Sequence, residues 1–302
     1  MIQHWLDKLR RGEIVLIDGG TGSELKRRGV ALHGAAWSGP AALTHPEVLR
    51  DIHADYIRAG AEVVTTNTFG TVRFVLEGAG LGSDFAPINR RAVAAAREAR
   101  DLAASRPVAI AGSMSCLPPR FDRTAYPQPA DEQAAYRELA GLLAASGVDL
   151  IALEMIQDAE HGARALTAAL ETGLPVWLGV SARRSAVACT ELVGFDYPDR
   201  PLAATLDALL SLGPTVVNVM HTPGDTVAAA LVEVRERWDG PLGVYPELGE
   251  TTVAGSGSAD GLVRAALAWV GQGARLLGGC CGTGPEHIRA LRAAYSQLAG
   301  AR

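Results

Sequence analysis

The segment Val148–Ser181 reads VDLIALEMIQDAEHGARALTAALETGLPVWLGVS. It opens on a short, β-rich apolar run, Val148-Asp-Leu-Ile-Ala-Leu-Glu154. An Ala/Leu/Arg stretch of helical period follows from Asp158 to Thr172. A second apolar run, Pro175-Val-Trp-Leu-Gly-Val-Ser181, comes directly after it. Strands that are apolar throughout need cover on both faces. A strand–helix–strand unit of this kind therefore predicts a parallel sheet.

The same unit recurs in both directions along the chain. Upstream lie Ile14–Asp18, Ala61–Asn67 and Pro107–Ser113; downstream lie Pro214–Asn218, Pro241–Tyr245 and Ala274–Cys280. The other predicted helices are Pro46–Ala59, Ile88–Ser105, Asp131–Ser146, Leu202–Leu212, Asp225–Trp238, Ser258–Gln272 and Pro285–Leu298. Thr44 before Pro46 and Thr283 before Pro285 read as helix start signals. Eight such units predict one α/β domain over residues 1–302, a closed (β/α)8 TIM barrel. An open doubly wound sheet is the competing arrangement. It calls for a glycine-rich phosphate turn after the first strand, and Asp18-Gly-Gly-Thr-Gly22 lacks the spacing.

In a barrel the strand ends converge on one mouth, where active sites are built. Here those ends carry Asp18, Asn67, Ser113, Glu154, Ser181, Asn218, Tyr245 and Cys280. Any one of them alone is as well explained by a turn or strand cap. Eight together favour a site. The Gly/Pro-rich stretch Cys116–Pro129 and the segment Arg183–Pro201 read as long loops over the mouth, acting as lids or specificity loops.

Bulk composition narrows the function. The 302 residues are 48% hydrophobic and 20% charged, as in an ordinary globular protein with a large core. A formal charge of −5 and the lack of a Lys/Arg run give nucleic acid nothing to grip. No apolar stretch is long enough for a membrane, and the polar start at Met1–Arg11 does not read as a secretory signal, so a cytoplasmic location is expected. Four cysteines do not make a disulfide scaffold.

The most specific motif is Gly278-Gly-Cys-Cys-Gly-Thr-Gly284. Two thiols at a strand end, in a turn flexible enough to approach a ligand, suit zinc or thiol chemistry. Two adjacent cysteines cannot complete a zinc site. A third ligand must come from elsewhere, and Cys116, Cys189 and His221 are the candidates. Asp18 and Glu154 form a second constellation. Carboxylates at the mouth can bind a substrate ammonium or act as acid and base. Asn67 and Asn218 can orient a substrate or simply hold loops.

The series Asp18-Gly-Gly-Thr-Gly-Ser-Glu-Leu25, Thr65-Thr-Asn-Thr-Phe69, Asp149-Leu-Ile-Ala-Leu-Glu-Met155, Val217-Asn218, Tyr245-Pro-Glu-Leu-Gly-Glu250 and Gly278-Gly-Cys-Cys-Gly-Thr283 resembles the homocysteine S-methyltransferase family. The motifs occur in family order. The resemblance implies a (β/α)8 barrel and a zinc-dependent transfer of a methyl group to the thiol of homocysteine or a related thiol, forming methionine. By the same resemblance Cys280 and Cys281 match two zinc ligands, Glu154 matches the residue that receives the amino group, and Asp18 and Gly19 match the start of the amino-acid loop. Asn67, Asn218 and Tyr245 are further substrate-binding candidates. A sulfonium donor of the S-methylmethionine or S-adenosylmethionine class is the nearest comparison. The partners implied are small molecules, and a monomer or small homo-oligomer is expected.

Three positions depart from the family pattern. The family's first zinc cysteine directly follows the strand-six asparagine, where this chain has Val219. Strand alternation puts His221 on the face of Val219, so His221 is expected to replace the missing thiolate. Ser115-Cys-Leu-Pro-Pro119 stands where members have a Gly-Pro turn, and Glu247 stands for an asparagine. The competing function is a diverged barrel lyase or hydrolase on a sulfur-containing or amino-acid metabolite. Cys280 or Cys281 would then serve as nucleophile and Glu154 or Asp18 as base.

Overall fold

A computed structural model of the chain describes residues 4–188, 190–248 and 257–300. Its strands are, in order, β1 (Val15–Leu16), β2 (Val63–Thr65), β3 (Ala109–Ser115), β4 (Leu150–Ile156) and β5 (Val176–Val180). An antiparallel hairpin, β6 (Ala182–Arg184) with β7 (Leu192–Gly194), precedes β8 (Val216–Pro223), β9 (Leu242–Glu247) and β10 (Leu276–Leu277). Apart from the hairpin, all pair in parallel, in the order β1-β10-β9-β8-β5-β4-β3-β2. A parallel bridge between Ile17 and Val63 joins the two ends. There the N–H of Glu62 donates to the Leu16 carbonyl at 2.7 Å, and that of Asp18 to the Val63 carbonyl at 3.1 Å. The ring closes as the strand count predicts, in place of an open sheet.

Alternation along each strand divides the core in two. Val15, Ile17, Val63, Ala111, Ala152, Trp177, Val216 and Leu276 pack in the barrel interior. Leu16, Val64, Ile110, Ile151, Val176, Val217, Leu242 and Leu277 pack against the helices. Both faces are dry, which is why the strands read as continuous apolar runs. The sequence pattern gave no hint of the helix His4–Arg10. Its Trp5, Leu6 and Leu9 join the interior cluster, and Trp5 meets Trp177 edge-on at 5.3 Å between ring centres. This plugs the end of the barrel where the strands begin and leaves the opposite end for ligands.

Most predicted helices form with ends shifted by a few residues. Asp158 and Ser258 turn out to be N-caps, accepting from the backbone N–H groups of Glu160 and His161 and of Gly261. Thr44 does not start Pro46–Ala59. It ends a short helix, Ala41–Thr44, and its hydroxyl donates back to the Pro40 carbonyl. The segment Arg183–Pro201 holds most of the β6–β7 hairpin, a pairing that periodicity over so few residues cannot reveal.

On Pro46–Ala59, His53 is 0% exposed, and neither ring nitrogen has a partner among the described residues. Burial lowers its pKa to about 4. The unfolded chain therefore takes up a proton before the folded one does. Stability is full above the ordinary histidine pKa and is lost as pH falls from there towards 4. His53→Leu should shrink the difference in unfolding free energy between pH 7 and pH 5 by about 2 kcal/mol, as read by urea titration. An unchanged pH dependence would remove His53 from the explanation.

Candidate active site

The mouth of the barrel holds a cavity of about 260 Å³ lined from nearly every strand end. Its lining includes Asp18, Gly19, Thr65, Ser113 and Glu154, and, further round the ring, His221, Tyr245, Cys280 and Cys281. The expected loops contribute as well: Leu117, Pro118 and Arg120 from the stretch after β3, and Phe195 and Asp196 from the segment after β5.

Both carboxylates face this cavity, Asp18 fully buried and Glu154 half-buried. Asp18 accepts hydrogen bonds from the Thr65 backbone N–H and from its hydroxyl, both at 2.8 Å. Burial nevertheless lifts its carboxyl to about 8. Glu154 accepts from the Ser113 hydroxyl, and burial lifts its pKa to about 7 against that bond. Each feels the desolvation of a closed pocket, and the charge of Glu154 adds to the rise at Asp18. Among the described residues lining the cavity only Arg120 and His221 can offer a positive charge. A cation brought by a ligand would favour the ionised form of both carboxylates.

On the same rim, the Cys280 sulfur lies 3.4 Å from His221 Nδ1 and 4.0 Å from the Cys281 sulfur. One ligand atom from each of the three residues lies within 4.8 Å of the others. The hydrogen bond from Cys280, then His221, lowers the Cys281 thiol to about 5, and Cys280 is pushed up as its partner. Burial pulls the His221 imidazole down, but the Cys281 sulfur outweighs this and raises it. The turn that carries the sulfurs is pinned on all sides. Cys280 N–H donates to the Pro246 carbonyl, Leu248 N–H to Cys281, Gly279 N–H to Asp18, and the Tyr56 hydroxyl to Thr283 at 2.8 Å. The Gly282 N–H reaches the Ser23 hydroxyl at 3.0 Å. A side chain at Gly279 would collide with Thr283, so only glycine lets the turn fold this tightly.

His221 reaches this cluster by a route that alternation does not predict. Val219 points outward, 0% exposed among the helix-facing core residues. Strict alternation would have sent His221 the same way. Instead β8 carries an extra residue: Met220 pairs with Tyr245, but the next pair is Pro223 with Glu247. His221 takes a left-handed φ of 42° in this bulge and swings into the mouth. β4 has a matching irregularity between Leu153 and Ile156, with Met155 at φ 54°, immediately after Glu154. Bulges that re-aim side chains therefore flank both sides of the site.

The remaining candidates divide. Gly19 and Tyr245 line the cavity, and the buried Tyr245 hydroxyl lies towards the Glu154 carboxylate. Asn67 also lines it, but its amide is spent on Ser38, donating to the carbonyl at 2.8 Å and accepting from the hydroxyl at 2.5 Å. It holds a loop. Asn218 is not a strand end: β8 runs on to Pro223, and the amide lies inside the barrel over Gly243, apart from the cavity lining. Cys116 is buried in the helix-side core and stands outside the metal-competent cluster. Cys189 falls outside the described residues. Sequence reasoning missed Trp37, which is 46% exposed at the rim of the cavity in a left-handed conformation of φ 49°. A lone tryptophan in the Gly/Ala-rich stretch Gly34–Gly39 was the available signal.

Fold and rim together define an α/β-barrel enzyme with a pocket for a small ligand and a set of soft side chains able to hold a metal ion. The family model described as homocysteine S-methyltransferase matches residues 15–295, and the chain belongs to that family. It is 28% identical to homocysteine S-methyltransferase 4 of Zea mays, over 95% of this chain and 90% of the relative. It is 27% identical to the selenocysteine methyltransferase of Astragalus bisulcatus, over 93% of this chain and 92% of that one. The metallated form of the homocysteine methyltransferase MmuM from Escherichia coli superposes with a TM-score of 0.80 at 25% identity, over 97% of this chain and 99% of that structure. The chain is thus a transferase of this type, and among its described residues no helix is long and apolar enough to cross a membrane.

Proposed function

We propose that the chain moves a methyl group from a sulfonium donor of the S-methylmethionine or S-adenosylmethionine class to homocysteine, forming methionine, with zinc held by Cys280, Cys281 and His221. One observation carries this reading: two sulfurs and an imidazole nitrogen gather at the rim of an amino-acid-sized cavity that the carboxylates of Asp18 and Glu154 also line. The donor set fits the ion. Zinc–sulfur and zinc–nitrogen bonds of about 2.3 and 2.05 Å at tetrahedral angles require edges of roughly 3.8 and 3.5 Å. The separations found are 4.0 and 3.4 Å. Three protein ligands would leave a fourth position for a substrate sulfur.

Zinc, when bound, would supply a substrate thiol that is ionised at neutral pH. The chain's own residues do the rest. Glu154 and Asp18 take the ammonium of the amino acid and so fix where its sulfur comes to rest. Tyr245 and the rim ring of Trp37 border the same space. The substrate thiolate then attacks the donor methyl carbon in line. A new carbon–sulfur bond forms, the old one breaks, and its electron pair stays on the donor sulfur as a neutral thioether. The relative named for selenocysteine makes a selenol a reasonable second acceptor. A reducing compartment such as the cytoplasm would keep the two thiols available.

The test is elemental analysis of untagged protein together with methionine formation from homocysteine and each sulfonium donor. One zinc per chain and turnover with at least one donor are expected. His221→Ala should weaken zinc binding by at least tenfold in a chelator competition. Zinc retained at full affinity in that variant would dismiss the histidine as a ligand.

A further inference from the structure

His221 presents Nδ1 to the Cys280 sulfur at 3.4 Å and turns its other nitrogen towards β9. There Nε2 lies 3.9 Å from a Glu247 carboxylate oxygen. The two residues are brought together by the bulge itself, because Glu247 is the β9 residue opposite Pro223, just past the extra residue. A third wall comes from Phe195, whose ring meets the imidazole edge-on at 4.7 Å. His221 is held at a left-handed φ, and these three neighbours fix its ring.

We infer that Glu247 is a positioning residue for the metal centre: it accepts the Nε2–H of His221 and so aims Nδ1 at the ion. This rests on the zinc reading above and deepens it. A ligating histidine commonly donates its second N–H to a carboxylate, which fixes the tautomer and the ring orientation. Charge points the same way. A divalent ion with two thiolates and a neutral imidazole carries no net charge, and Glu247 adds one negative charge beside it. An imidazole and a carboxylate on neighbouring strands together supply the charge that a third thiolate would bring alone.

The experiment measures zinc affinity by competition with a chromophoric chelator for the wild type, Glu247→Gln, His221→Cys and the double variant. Glu247→Gln should bind zinc about 10–100-fold more weakly while the imidazole is present. In the His221→Cys background the same change should cost less than threefold, because a thiolate has no N–H to orient. Cobalt(II)-loaded Glu247→Gln should also show shifted ligand-field bands at full occupancy, which a merely structural role would not produce. Equal losses in both backgrounds, or unchanged affinity and spectrum, would overturn the inference and leave the zinc reading standing. Wild-type protein that binds neither ion would overturn both. If His221→Cys does not fold, the cobalt spectrum alone decides.

Discussion

Glu154→Gln should lower kcat/KM for the thiol acceptor by about 10²–10³ and, at the same time, raise the melting temperature of the ligand-free protein. The first effect follows from the ammonium. Removing one partner of a buried, hydrogen-bonded ion pair costs roughly 3–5 kcal/mol, since the other charge is left buried alone. The change is nearly isosteric, and the Ser113 hydroxyl can donate to the glutamine oxygen as it does to the carboxylate. Packing therefore stays and only the charge goes. The second effect follows from the sign of the pKa shift. Burial raises Glu154 to about 7, so the folded state holds a proton that the unfolded chain has already released. Stability contributed by the protonated form is present at low pH and is lost as pH climbs from the ordinary glutamate range through 7. At pH 8 the ionised carboxyl costs of order 3 kcal/mol, and the amide escapes it. Thermal melts at pH 8 and pH 4 check this: the variant should gain several degrees at the first and almost nothing at the second. Unchanged kcat/KM would take the ammonium away from Glu154.

Cys280→Ser and Cys281→Ser should each abolish stoichiometric zinc and reduce methyl transfer at least about a thousandfold, the scale of several kcal/mol of lost metal activation. Either substitution leaves one sulfur and one imidazole, too few soft ligands for a catalytic zinc site. The turn itself should survive. It is held by hydrogen bonds of its backbone to the main chain of Pro246, Leu248 and Asp18 and to the Ser23 hydroxyl, not by the sulfurs. Elemental analysis, melting temperature and turnover on the same preparations separate these effects. Full zinc and full activity in both variants would end the metal proposal.

Much of this was legible in the sequence because it depends on period and composition. Continuous apolar runs such as Leu150–Leu153 are dry on both faces, and that alone calls for a parallel barrel covered by helices. Asp18, Glu154 and Cys280 were found because each follows such a run. What stayed hidden depends on backbone irregularity or on tertiary contact. Asn218 looks like a strand end because it is a polar residue set in the apolar run Val216–Met220, yet β8 continues past it to Pro223. The inward turn of His221 needs an extra residue in the ladder, which no two-residue period can encode. Trp5 reads as part of a charged start, and its role appears only when Trp177 is above it.

The bulge in β8 bears on how such enzymes are compared with one another. A column-by-column comparison would meet a valine where a sulfur belongs and score the catalyst as defunct. The imidazole stands two columns later, yet its tip arrives at the rim beside the paired sulfurs. On the zinc reading proposed above, what is inherited is a point in space, not an address in the string, and relatives that look broken by their letters should be judged by where their side chains end.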